Sequence, residues 1–255
     1  RRFIPAKLQD NPYLMQTDDY YAMLASLPEI QRRQFLDGDW DAFDNSAFSE
    51  FKKTTHVVEP FEIPRGWYKF RAADWGYSSP ACVLWFAVDY DNNLWVYREL
   101  YTSKVTADKF ARQVLTLEQG EYIGYGVLDS STWARRGDVG PSIAETMIQN
   151  GCRWRPSDRS PKSRINGKLE VHKRLALKDK EPGLRIFSTC RNLVRTLGAL
   201  PIDSNNPEDV DTKSEDHAYD ALRYGCMSRP LHPGANNKFK EQTEQYLPSD
   251  TNFGY

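Results

Sequence analysis

The 255 residues carry 34 Lys and Arg against 35 Asp and Glu, a formal charge of −1, with 40% hydrophobic content. A polycation and a mainly disordered chain are both excluded, and at roughly 150 residues per domain the length gives one to two domains. The longest apolar run, Ala81 to Val88, is eight residues, far short of the roughly 18 that cross a bilayer, so a membrane-spanning protein is excluded.

Cys82, Cys152, Cys190 and Cys226 lie 70, 38 and 36 residues apart. Without a CxxC pair they make neither a zinc ribbon nor a thioredoxin-like site, and reduced thiols are expected. The opening Arg-Arg-Phe-Ile-Pro has no apolar signal region and no initiating Met, so the chain reads as a piece of a longer polypeptide.

Residues 1–55 read as a linker segment with short helices. Asp18 and Asp19 precede Tyr20, Tyr21, Met23, Leu24 and Leu27, an acid-led helical pattern stopped by Pro28. A second short helix is expected from Glu29 to Leu36. Trp40, Phe43, Phe48 and Phe51 follow as an aromatic connector suited to packing onto what comes next.

From residue 56 the period changes. Trp67–Asp74, Ala81–Asp89 and Leu94–Tyr101 are rich in aromatic and β-branched residues and are separated by the turn chemistry of Gly76–Pro80 and Asp91-Asn92-Asn93. They predict three antiparallel strands. Helical spacing after Thr106 ends near Gly120. Tyr125–Asp129 reads as a buried strand ending in an acid, followed by a helix from Pro141 to Ile148. Leu184–Phe187 reads as another strand, and Arg191–Leu200 and Glu215–Met227 as helices. The predicted order β-β-β-α-β-α-β-α-α gives one α/β domain over 56–229 with a mixed sheet flanked by helices. Residues 230–255 lose apolar content and read as a polar, flexible tail.

Three aspartates stand out by position. Asp74 ends the first predicted strand, Asp129 ends the fourth, and Asp220 lies on the last helix one turn from Asp216 and His217. If the first and fourth strands are neighbours, Asp74 and Asp129 emerge side by side, and a helix packed there brings Asp220 across. Carboxylates so placed resist ionising together. Divalent Mg²⁺ or Mn²⁺ relieves that conflict with hard oxygen ligands, and two such ions about 3.5–4 Å apart suit phosphodiester hydrolysis. Taken singly, Asp74 and Asp129 also read as turn or helix caps, Asp216 as a helix N-terminal acid, and His217 with Asp220 as a solvent-facing pair. Glu99 reads as an ion-pair partner and Asp138 as a turn residue.

The strings FRAADWGYSSP, VLDSSTWARRGDVGPS and EDHAYDALRYG, with RRQFLDGDWDAF upstream, resemble the C-terminal nuclease domain of bacteriophage terminase large subunits over about residues 1–230. The resemblance implies a ribonuclease H-like fold and a metal-dependent endonuclease that cuts double-stranded concatemeric viral DNA in the bacterial cytoplasm. It also implies two Mg²⁺ or Mn²⁺ ions and a packaging assembly with small subunit and portal protein. On that resemblance Asp74, Asp129 and Asp220 match catalytic carboxylates, His217 an auxiliary ligand position and Asp216 a neighbouring acidic slot. The GxxxxGK[ST] loop of the family's ATPase half does not occur here. Two alternatives stand beside this reading: a packaging-motor docking module with residual cleavage, and a nuclease of resolvase or transposase type.

Substrate phosphates need cations. From Gly151 to Lys180 ten basic residues face three acids, a net of +7, and this stretch is expected to line a DNA channel through Arg153, Arg155, Lys162, Arg164 and Lys168. Arg135 and Arg136, just past Asp129, are expected to reach a phosphate. No base-reading element occurs, so binding should follow the DNA backbone with little sequence preference.

Overall fold

The computed structural model describes residues 45–135 and 140–229. The expected helices before residue 37, the rings of Trp40 and Phe43, the residues Arg136 and Asp138, and the tail after 229 lie outside these. No helix among the described residues is long and apolar enough to cross a membrane.

The strands in chain order are β1 (Val57–Val58), β2 (Tyr68–Asp74), β3 (Ala81–Val88), β4 (Leu94–Thr102), β5 (Gly126–Leu128), β6 (Arg155–Pro156), β7 (Leu177–Lys178), β8 (Glu181–Pro182) and β9 (Leu184–Phe187). Strands β7 and β8 form a separate ribbon, and the other seven form a central mixed sheet in the spatial order β1-β9-β4-β3-β2-β5-β6. The predicted meander is present: β2 pairs antiparallel with β3, and β3 with β4. Strand β3 is buried along its whole length, which explains its unbroken apolar run: a central strand covered on both faces has no polar side to show. The turn after it places Asn92 at φ 63°, while the Asp89 carboxylate accepts from the Asp91 and Asn93 amides.

Helices α1 (Lys53–His56), α2 (Ala107–Leu117), α3 (Ile143–Gln149), α4 (Ser163–Leu175), α5 (Arg191–Ala199) and α6 (His217–Ser228) accompany the sheet. Helix α6 lies on β2, β3 and β5, and α4 and α5 pack against α6. Two glycines permit this closeness. A Cβ at Gly225 would sit 2.4 Å from the Phe86 ring, and one at Gly167 would sit 2.4 Å from Arg223 Cγ. The core also takes in Phe48 and Phe51, with the Phe48 ring 5.2 Å from that of Tyr219.

The expected element order omits helix α4, strands β1 and β6, and the β7–β8 ribbon. Strands of two residues carry no periodicity to read. Helix α4 escapes because part of its buried face is polar: Lys168, Glu170 and Arg174 are buried beside Val171 and Leu175. Arg174 is fully enclosed and donates to the carbonyls of Asn92 and Arg229, so it ties the β3–β4 turn to the end of α6 instead of facing a DNA channel. Glu99, expected to be an ion-pair partner, makes its hydrogen bonds to the start of α5 instead. It accepts from the Asn192 and Leu193 amides at 3.0 and 2.7 Å, capping the first turn of α5.

Candidate metal and nuclease centre

The sheet register brings the first two aspartates together. β2 and β5 run parallel with Ala73 opposite Leu128, and the Asp129 amide donates to the Ala73 carbonyl at 3.1 Å. Asp74 and Asp129 therefore leave neighbouring strands at the same C-terminal edge, the place where parallel sheets carry ligands. Helix α6 starts beside them. Asp216 is its N-cap, His217 its first residue and Asp220 stands in its first turn, where the helix dipole favours negative charge.

His217 links the two elements, its Nδ1 lying 3.1 Å from Asp74 Oδ2. That hydrogen bond holds the His217 pKa above its usual value. Asp74 is buried, and burial, with the charges of Asp220 and Asp129, pushes its carboxyl up to about 7 against the opposing His217 contact. Burial and the Asp220 charge push Asp216 up to about 6. Asp74 thus feels the charges of Asp220 and Asp129, and Asp216 that of Asp220, repulsions that disfavour ionising Asp74 and Asp216.

Each carboxylate is engaged by the protein. Asp129 accepts from the Ser131 amide at 3.2 Å, from the Ser131 hydroxyl, and from the Tyr224 hydroxyl at 3.3 Å. It caps the 3₁₀ turn Ser130–Trp133, so the cap reading of this residue is borne out. Asp220 accepts from Arg223 Nε at 3.0 Å and from Arg164 Nη1 at 3.3 and 3.4 Å. Among the described residues no group of three His, Cys, Asp or Glu side chains stands ready to hold a metal ion. The backbone convergence expected from the sequence is present, but the oxygens are turned to hydroxyls, an imidazole and guanidinium groups. The donor chemistry still fits Mg²⁺ or Mn²⁺: several hard carboxylate oxygens and one imidazole. All four cysteines are buried and free of disulfides.

The basic residues divide. Arg153, Arg155 and Lys162 are exposed, with the Arg155 guanidinium 3.8 Å from the Tyr125 ring centroid. Arg135 is exposed and bonded to Glu145 at 2.9 Å, a surface pair of small energetic weight. Lys168 is only 6% exposed and donates to the carbonyls of Pro207 and Asp209. Arg164 turns into the acidic cluster. Sequence reasoning passed over Tyr224, Arg223, Ser131 and Asp209. The first two sit four and three residues after Asp220, a helical spacing that signals contact. Ser131 stands two residues after Asp129, an Asx-turn spacing. Asp209 had no signal.

No family model and no curated protein matches the sequence. Solved structures do match. The P22 large terminase nuclease domain aligns at a TM-score of 0.60 with 19% identity, covering 73% of this chain and 93% of that one. The large terminase of a thermophilic bacteriophage aligns at 0.60 with 15% identity, covering 88% of this chain and 54% of that one, so this chain spans about half the length of that terminase. The large terminase nuclease of thermophilic phage G20c, solved with bound magnesium, aligns at 0.52 with 14% identity over 72% of this chain and 97% of that one. This chain therefore has the fold of phage large terminase nuclease domains, a ribonuclease H-like mixed sheet flanked by helices, as the sequence motifs imply.

Proposed function

We propose that this chain is a metal-dependent endonuclease that cuts double-stranded concatemeric phage DNA during genome packaging, within an assembly that includes a small subunit and a portal in the host cytoplasm. The observation that carries the reading is the adjacency of Asp74 and Asp129 on parallel β2 and β5, with Asp216, His217 and Asp220 delivered to the same edge by α6. The G20c nuclease solved with bound magnesium and, separately, with bound cobalt supports it.

Asp74, Asp129 and Asp220 are the residues that would hold the ions, with His217 and Asp216 beside them. When bound, two Mg²⁺ or Mn²⁺ ions supply the Lewis acidity that activates water and offsets charge on the phosphodiester. The protein's own part is positioning. Ser131 and Tyr224 fix the Asp129 carboxylate, His217 orients Asp74, and Arg223 holds one oxygen of Asp220. Placing these groups in advance spares the reaction the cost of arranging them.

Substrate grip comes from the segment after β6. The Ser157 amide bonds the Leu128 carbonyl at 2.9 Å, and the Ser157 hydroxyl accepts from the Ser130 amide at 3.0 Å. Exposed Arg159 and Lys162 therefore follow directly from the edge where Asp129 emerges, and with Arg153 and Arg155 they suit phosphate contacts that read no bases.

A plasmid-nicking assay with Mn²⁺ tests the reading. Wild type converts supercoiled to open-circular and linear DNA, and Asp129→Asn loses this at least about a hundredfold, since it removes a charged ligand. Cleavage insensitive to Asp129→Asn overturns the assignment.

A further inference from the structure

Arg164 sits where a cation belongs. It stands in the first turn of α4 and reaches three carboxylates: Nε is 2.8 Å from Asp209 Oδ2, Nη1 is 3.3 Å from Asp220 Oδ2, and Nη2 is 3.7 Å from Asp216 Oδ2. The grip is uneven. The Asp209 contact is a short, charge-assisted hydrogen bond, whereas the contacts to Asp220 and Asp216 are long, and Nη2 is buried without a hydrogen-bond partner. Side-chain exposure of 32% leaves the guanidinium a route to solvent.

The surrounding structure holds Arg164 there at a local cost. Lys162, the N-cap of α4, has φ 64° and no side-chain cap bond, and the first turn contains no acid. A left-handed lysine and cationic side chains at a helix N-terminus are both unfavourable for the helix itself. The opposing supports come from outside it. The Lys168 ammonium clamps the Pro207 and Asp209 carbonyls, fixing the loop that presents Asp209. Gly167 lets α4 approach Arg223 of α6. Arg223, 4% exposed at its side chain, holds Asp220 Oδ1 at 3.0 Å, and Arg164 Nη1 lies 3.4 Å from that oxygen and 3.3 Å from Oδ2, so Arg164 shares Oδ1 with Arg223 and is the guanidinium on Oδ2.

We propose that Arg164 is a tethered, displaceable counter-cation. It neutralises Asp216 and Asp220 in the metal-free protein, a divalent ion must displace it from them, and Asp209 retains it beside the site. The inference rests on the nuclease reading above. A doubly charged ion outcompetes one guanidinium at long range on Asp220, while the 2.8 Å pair with Asp209 persists. Arg164 is thus a positioning residue that keeps the carboxylates closed until metal arrives.

The test is Mn²⁺ binding by titration calorimetry on wild type, Arg164→Gln, Arg164→Lys and Asp129→Asn, with metal-free and Mn²⁺-loaded melting temperatures. Arg164→Gln is expected to bind Mn²⁺ about tenfold more tightly than wild type, a typical coupling between competing sites, and to gain more melting temperature from Mn²⁺ despite a lower metal-free value. Arg164→Lys, whose ammonium cannot fork across three carboxylates, is expected to fall between the two, and it carries the test if the Gln variant does not fold. Unchanged or weaker Mn²⁺ affinity in the Lys variant, or in a folded Gln variant, overturns the proposal. Asp129→Asn separates the two readings. If it weakens Mn²⁺ binding while the Arg164 variants bind as wild type does, the metal site stands and the counter-cation role falls. If no form binds Mn²⁺, both fall.

Discussion

Burying Asp74 beside two further carboxylates makes its ionised form costly in the metal-free protein. An unfolded Asp titrates near about 3.9, whereas the folded group is pushed up to about 7 by burial and by the Asp220 and Asp129 charges. The native state therefore holds the proton more tightly. This contribution to metal-free stability is full below the unfolded value and is lost as pH rises to about 7, levelling off above it. Asp74→Asn removes the loss. At pH 8 without metal its melting temperature should exceed that of wild type by about 3 °C or more, while Mn²⁺-dependent cleavage disappears. A calorimetric scan showing a lower value at pH 8 would identify Asp74 as a structural cap. At this scale the sequence was legible in where residues stand within their elements. Asp74 and Asp129 stand at strand ends, and Asp220 stands one helical turn from its neighbours. Arg164 was not legible, because its partners Asp209, Asp216 and Asp220 are distant in the chain and a basic run reads the same whether it faces DNA or an internal acid.

At the level of elements, α6 is what delivers Asp220, and its depth on the sheet is set by Gly225. Phe86 cannot yield to a methyl group there, since it is stacked on Phe70 with centroids 4.7 Å apart and planes 7° from parallel. Gly→Ala gains up to about 1 kcal/mol in helix propensity, but overpacking a filled core costs about 1–3 kcal/mol, so the clash wins. Gly225→Ala is expected to lower the melting temperature and to reduce cleavage as α6 lifts from β3. A more stable, fully active variant would show that the helix has room. The core strands were legible because β3 and β5 are short apolar runs bounded by turn residues. Helix α4 was obscured by Gly167 within it and by the buried charges of Lys168 and Arg174, whose partners are backbone carbonyls from other parts of the chain.

For the whole molecule, a formal charge of −1 provides no general attraction for DNA, so binding depends on where the cations gather. Arg174 and Lys168 are committed to internal carbonyls and Arg164 to carboxylates, which leaves Arg153, Arg155, Arg159 and Lys162 near the edge where Asp129 emerges, with Lys173, Lys178 and Lys180 farther along, as the exposed cations of the stretch singled out in the sequence. Each phosphate contact contributes about 0.9 to the slope of log affinity against log salt. The double variant Arg159→Gln, Lys162→Gln should therefore flatten that slope by about 2 in fluorescence anisotropy with a duplex probe. An unchanged slope would place the DNA elsewhere on the surface.

The ladder between β2 and β5 has an evolutionary corollary. Because Asp74 and Asp129 hang from hydrogen-bonded neighbours, their separation is inherited from peptide geometry, about 4.8 Å between adjacent strands, and owes little to the identity of the surrounding side chains. Such a gauge survives almost any drift that preserves the pleat. The fold itself persists across chains that superpose on this one while sharing as little as 14% of their residues.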